Sequence, residues 1–344
     1  MRRTFCIALV LLMLACQAPA LGEEAFRSAK ALGNFSEGYA AFSDENGQWG
    51  YIDRSGNTVI APTWALADCF CGGVARVGTS DHLYGYINTA GEVIFPAVCT
   101  AATDFHEGLA TVEVDGQYGF LKPDGSYAFE ARWADAGYFS DGLAYVKIDG
   151  QYGFIDASGS VVISPQWDRV FSFSQGRAAV EKDGLWGFID ADGNLVIPCQ
   201  YEDGERFSDG LAPAERGGLS GYVDLEGNEV IPLQYESASY VYQGRAWVKL
   251  NGRYRMIDQT GAQVGTSEWQ NVFSDLGWAN LTRVCQDGQW GYVNSDNETV
   301  LLPVYEKATR FSDGLAAVLK NGAWYLIDEQ GVDVLSGEST QAME

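Results

Sequence analysis

Both histidines of the chain, His82 and His106, lie in one stretch with three of its cysteines, Cys69, Cys71 and Cys99. Thiolate sulfur and imidazole nitrogen are the ligands of tetrahedral zinc, so Cys69, Cys71, Cys99 and His106 form a candidate metal set, although their spacing matches no finger pattern. A disulfide from Cys69 or Cys71 to Cys99 is the competing chemistry. Cys199 and Cys285 stand far apart in the chain, and an odd count of cysteines beyond Cys16 excludes a complete disulfide framework. A second candidate chemistry is aromatic: Tyr145, Trp247 and Trp278 fall on strand faces opposite small apolar residues, where rings stack on sugars. For catalysis the inventory is poor. There is no G-x-S-x-G elbow, no H-E-x-x-H and no phosphate-binding glycine loop. No catalytic residue and no cofactor is expected.

The elements that position these residues recur. An aromatic-Gly-apolar-apolar-Asp clause, clearest at Trp186-Gly187-Phe188-Ile189-Asp190, returns with drift at Trp49, Tyr84, Tyr118, Tyr152, Ser220, Tyr254, Trp290 and Trp324. The step is about 34 residues, and a fixed period of that size identifies a repeat architecture. Each of the nine units opens on a turn phrase such as Phe139-Ser140-Asp141-Gly142, whose Phe is expected to plug the core between neighbours. Cys71 and His106 replace the usual Ser of this phrase in consecutive units, which makes them neighbours if units stack. An alternating strand follows, Leu143 to Ile148, then a type I′ pair such as Asp149-Gly150. The clause is the return strand, and its glycine is expected to leave room for an aromatic ring. A turn (Asp190 to Gly193) and a short apolar strand stopped by proline (Val196-Ile197-Pro198) complete the unit. The fold expected is all-β: nine three-stranded antiparallel units in an open β-solenoid or superhelix, with a closed propeller-like ring as the alternative.

The ends differ from the repeats. Residues 1–22 read as a signal peptide: a basic Met1-Arg2-Arg3, an apolar run and Ala18-Pro19-Ala20. Met13-Leu14-Ala15-Cys16 also resembles a degenerate lipobox, which makes Cys16 a candidate lipid anchor and the only route to a membrane. Residues 23–34 read as a cap or linker, 35–335 as the repeat array and 336–344 as a polar tail. The protein is expected to be secreted or held in the cell envelope. A formal net charge of −24 repels nucleic acid, and most acidic residues recur at turn positions.

The combined pattern, Phe-Ser-Asp/Glu-Gly-Leu-Ala, Asp/Asn-Gly-x-Trp/Tyr-Gly-Phe/Tyr-Ile/Val-Asp, then Gly-x-x-Val-Ile-x-Pro, resembles the WG-repeat (KWG-type) family of bacterial proteins from about Phe35 to Val334. Ser220, Tyr254-Arg255 and Trp324-Tyr325 depart from it. The resemblance implies a surface or secreted binding module without a catalytic set. The function expected is a non-enzymatic scaffold for a protein partner; the alternative is a module binding carbohydrate or cell wall through exposed aromatics. Function is to be sought where copies differ, in the Cys71–His106 stretch and the drifted sixth and seventh units.

Overall fold

The computed structural model describes residues 29–273, 281–312 and 314–341. Its strands form nine small antiparallel sheets, each a meander in chain order. Six have four strands rather than three, because the polar link between units contributes a short first strand, such as Leu66–Ala67 or Arg169–Val170. That strand is two residues long in most units, too short for the alternation that reveals strands in a sequence.

The open array expected from the sequence is overturned. Among the described residues the core divides into nine clusters, each spanning one pair of neighbouring sheets. Nine units in a row have only eight such interfaces. The ninth joins Leu32, Phe35, Phe42 and Ile52 of the first sheet to Ala317, Trp324 and Leu326 of the last. An open solenoid ends on polar caps; here both end faces are apolar and cover each other. The protein is a nine-bladed β-propeller. Blades 1 to 9 begin their sheets at Ala31, Leu66, Ala101, Leu143, Arg169, Asp203, Ser237, Asn271 and Lys307. The described part of the segment read as a cap supplies blade 1's first strand, Ala31–Ser36.

The repeated residues explain the interfaces. Val241 takes the place of the phrase Phe in blade 7, and Phe273, which the sequence offers for blade 8, is 49% exposed beside Trp290. In the other blades the phrase Phe inserts between neighbours, and Phe70, Phe139, Phe173, Phe207 and Phe311 are at most 2% exposed. Each meets the third residue of the preceding clause: Phe70 lies 4.7 Å from Tyr51, Phe173 4.8 Å from Phe154 and Phe311 4.7 Å from Tyr292. Where that clause residue is Tyr, its hydroxyl also donates to a backbone carbonyl of the next blade, as Tyr51 does to Asp68 O at 2.8 Å and Tyr222 to Ser239 O at 2.6 Å. Burial pushes these phenols well above their usual range.

The clause glycine has a different role from the one expected. Trp186 pairs with Tyr201 and Phe188 with Ile197, so three residues of the outer strand face Gly187 alone. The bulged backbone crosses directly over the glycine. A Cβ there would lie 2.4 Å from Ile197 O and 2.7 Å from Cys199 N. No ring is involved, and backbone cannot move aside as a side chain can. Gly187→Ala is therefore expected to cost about 1–3 kcal/mol, as overpacked cores do, measured by chemical denaturation; a neutral result would remove this account of the repeat.

Turn chemistry follows the sequence closely. Asp115, Asp149, Asp183, Asn251, Asp287 and Asn321 take positive φ ahead of a positive-φ glycine, as type I′ turns require. Asn46 is the exception: the loop there closes from Asp44 N to Gln48 O. The phrase is itself a two-residue hairpin, with Asp141 at φ 53 and Gly142 at φ 78 and reciprocal bonds between Ser140 and Leu143.

In the second turn Asp156, Asp190 and Asp258 accept bonds from Ser158, Asn194 and Thr260 side chains and from nearby backbone N–H groups. These donors hold the carboxyls below their ordinary value of 3.8. A folded pKa below the unfolded one gives stability that is complete above the unfolded value and lost as pH falls through the folded one. Thermal stability is expected to decline below about pH 4, and Asp190→Asn to flatten that acid limb; a variant with the same limb as the parent would contradict it.

Candidate binding surface around the ring axis

Blades of a propeller converge at the axis and diverge outward, so direct bonds between equivalent positions mark the axis. The phrase hairpins make such bonds. The Glu37 carboxylate accepts from Gly72 N (2.6 Å) and Gly73 N (2.9 Å) of the next blade. Glu107 does the same for Gly142 N, Asp141 for Gly176 N, Gln175 for Gly210 N and Asp209 for Gly244 N, at 2.7–3.1 Å. Successive positive-φ residues turn their N–H groups outward as an anion-binding concavity, and the neighbouring carboxylate, or the amide oxygen of Gln175, fills it. Part of the acidity of the chain thus belongs to a belt that ties blade to blade.

Just before the Phe that inserts between blades, or Val241 in its place, stands a residue that differs from copy to copy: Asn34, Cys69, Asp104, Tyr138, Ser172, Arg206, Tyr240 and Arg310 among the described residues. These side chains gather at the centre. Arg206 Nη1 lies 3.4 Å from Tyr138 OH, two blades away, a span that only residues close to the axis can bridge. Its guanidinium also stands 5.5 Å from the centre of the Tyr240 ring. Cys69 donates to Asn34 O at 3.6 Å and feels the charges of Arg310, Asp68 and Asp104. Burial raises its thiol above the usual range, with Arg310 opposing.

The metal candidates separate. Cys71 is exposed on the phrase turn of blade 2, whereas His106, at the same point of blade 3, stacks on Tyr138 with centroids 4.3 Å apart. Cys99 is sealed in the core between blades 2 and 3, where burial pushes its thiol up to about 11. Cys69, Cys71 and Cys99 are all free thiols. Among the described residues no group of three His, Cys, Asp or Glu is placed to hold a metal ion.

The aromatic candidates separate too. Trp247 is 1% exposed, packed between blades 7 and 8 with Met256, Trp269, Val284 and Val293, and so has no face to offer a sugar ring. Tyr145 is half-buried against Gly137 and edge-on to Tyr152 at 5.7 Å, and burial pushes its phenol up to about 12. Trp278 lies outside the described residues, as do residues 1–22 and Cys16. The axial position was missed in the sequence although its signal is there: the residue before a nearly constant Phe changes in kind in almost every copy.

The family model described as the WG containing repeat matches residues 49–79, 84–118, 118–152, 152–186, 186–219, 221–254 and 290–324. No curated protein matches the chain. Among solved structures, a eukaryotic initiation factor aligns over 88% of this chain and 89% of its own at 14% identity, with a TM-score of 0.55. The computationally designed Ika8 protein aligns over 88% and 96% at 12% identity and TM-score 0.48. Sqt1 of Saccharomyces cerevisiae aligns over 80% and 95% at 9% identity and TM-score 0.43.

Proposed function

The chain belongs to the WG containing repeat family, and from that premise we propose that it is a non-enzymatic scaffold whose axial face receives a protein partner outside the cytoplasm. The observation that carries this reading is the ring of unlike side chains where the blades converge. A repeat that keeps its turns, core Phe and glycine in most units varies most where the copies meet. That ring includes Arg206, Arg310, Tyr138 and Tyr240, and arginine and tyrosine are the residue types that dominate interface hot spots. The belt beneath them fixes their backbone, so little ordering entropy is lost on docking. Export rests on the signal-like residues 1–22.

The test is a pull-down from envelope extract with the parent chain and with Arg206→Ala/Tyr240→Ala. Arg206 is exposed and Tyr240 only part-buried, so the pair is expected to leave thermal stability unchanged. Truncating one hot spot costs about 2 kcal/mol or more; the double variant should weaken the captured partner at least thirtyfold, about 2 kcal/mol. Equal capture by both chains would overturn the axial reading.

A further inference from the structure

Between blades 4 and 5 lies a groove of about 680 Å³ lined by Gln151, Gln166, Trp167, Lys182, Leu185 and Leu195, among others. Trp167 is 7% exposed, and its indole N–H has no hydrogen-bond partner. Elsewhere in the ring the same atom position is served. Trp269, its counterpart in blade 7, donates to Asn297 Oδ1 of blade 8 at 3.0 Å. The residue of blade 5 that corresponds to Asn297 is Gly193, which has no side-chain acceptor to give.

The ring also shows what fills this place. Blade 9 has no fourth strand, and the segment Ser339–Gln341 tucks in between blades 8 and 9. There Tyr305 corresponds to Trp167 and Lys320 to Lys182. Lys320 Nζ donates to Thr340 O at 2.7 Å, and Tyr305 OH lies 2.8 Å from Thr340 Oγ1. Gln341 Nε2 donates to Tyr305 OH at 2.7 Å, and its Oε1 accepts from Leu302 N at 2.8 Å. Thr340 is wholly buried. The segment is held by one main-chain carbonyl on lysine and by side-chain contacts at the aromatic.

We propose that the groove between blades 4 and 5 binds an uncharged peptide segment, whose backbone carbonyl meets Lys182 and whose side-chain acceptor meets the Trp167 N–H. Lys182 already donates to Gln166 O at 2.8 Å and faces Asp168 at 3.5 Å. An ammonium has three donors, so one remains for a ligand, while Asp168 neutralises the charge and disfavours an anion. Leu185 and Leu195 are 38% and 47% exposed along the rim and suit an apolar flank of the peptide. Trp167 is too buried to offer its ring face to a sugar. The site is separate from the axial face and does not rest on it.

The probe is the labelled, end-capped hexapeptide Ser-Gly-Gln-Ser-Thr-Gln, the sequence of residues 336–341 with Glu338 replaced by Gln so that it carries no charge, titrated into the full chain and followed by anisotropy. Saturable binding is expected, weakened about tenfold by Lys182→Met and by Trp167→Phe, the size of one lost hydrogen bond. A peptide ending in Ala-Ala should bind as weakly as the parent peptide binds those variants. Lys320→Met controls for exchange with the chain's own segment and should leave the affinity unchanged or raise it. The proposal is overturned by no saturable binding, by affinity that both groove variants leave intact, or by binding of cellobiose in the groove while the peptide stays silent.

Discussion

Cutting Trp247 back to alanine is expected to cost about 3–5 kcal/mol of folding stability, the range for large aromatics in a closed core. The side chain is 1% exposed and shares its cluster with Met256 and Trp269 of its own blade and with Val284 and Val293 of the next. Its indole N–H has no partner, so the substitution removes no hydrogen bond and the loss comes from the cavity alone. The parallel Trp247→Phe keeps most of the packing and removes the unpaired donor, and should lose clearly less. Urea denaturation of the two variants checks both statements. A loss below about 1 kcal/mol for Trp247→Ala would mean that the ring is not sealed between blades. Any binding defect in this variant is then a folding defect, because the ring has no surface to present.

Trp247 also shows where the sequence misleads. Alternation put it opposite Ala246 and Val248, which for a sheet with one wet face implies exposure. In a propeller both faces of each blade are covered by neighbours, so Ala246, Trp247 and Val248 are all buried. The local chemistry was legible: Asn-Gly and Asp-Gly turns, Asp-capped second turns and the Phe plug all follow from residue type at fixed spacing. What a single repeat does not carry is the angle to the next one. Each blade's pattern is the same in a solenoid and in a ring, and only the apolar character of both ends, Leu32 and Phe42 against Trp324 and Leu326, distinguishes them. The axial surface was hidden for a related reason. Asn34, Cys69, Asp104, Tyr138 and Arg206 are far apart in sequence and have no common type, so no motif search finds them. They become one site only after closure brings every copy of that position to the centre.

Closure itself makes the strongest prediction. Deleting residues 169–202 removes one repeat in register and joins Asp168 to Asp203. An open array would lose one interface and stay folded, since its stability is a sum of nearest-neighbour terms. In the ring, the eight remaining blades no longer span the full turn at the angle their interfaces set, and the contact between blades 9 and 1 is broken. Leu32, Phe35, Phe42, Ile52, Trp324 and Leu326 are each at most 7% exposed in the closed molecule. At about 1.5–3 kcal/mol per buried apolar side chain, exposing them forfeits on the order of 10 kcal/mol, an upper bound. That is comparable with the whole net stability of an ordinary domain, about 5–15 kcal/mol. The deletion protein is therefore expected to associate through its two uncovered faces. It should also exchange amide hydrogens rapidly around residues 31–43 and 315–328 while its middle blades stay protected. Light scattering with hydrogen exchange decides the matter: a monomer with both end blades protected would show that these interfaces tolerate a different number of blades, and that the fit of nine is not what holds the ends together.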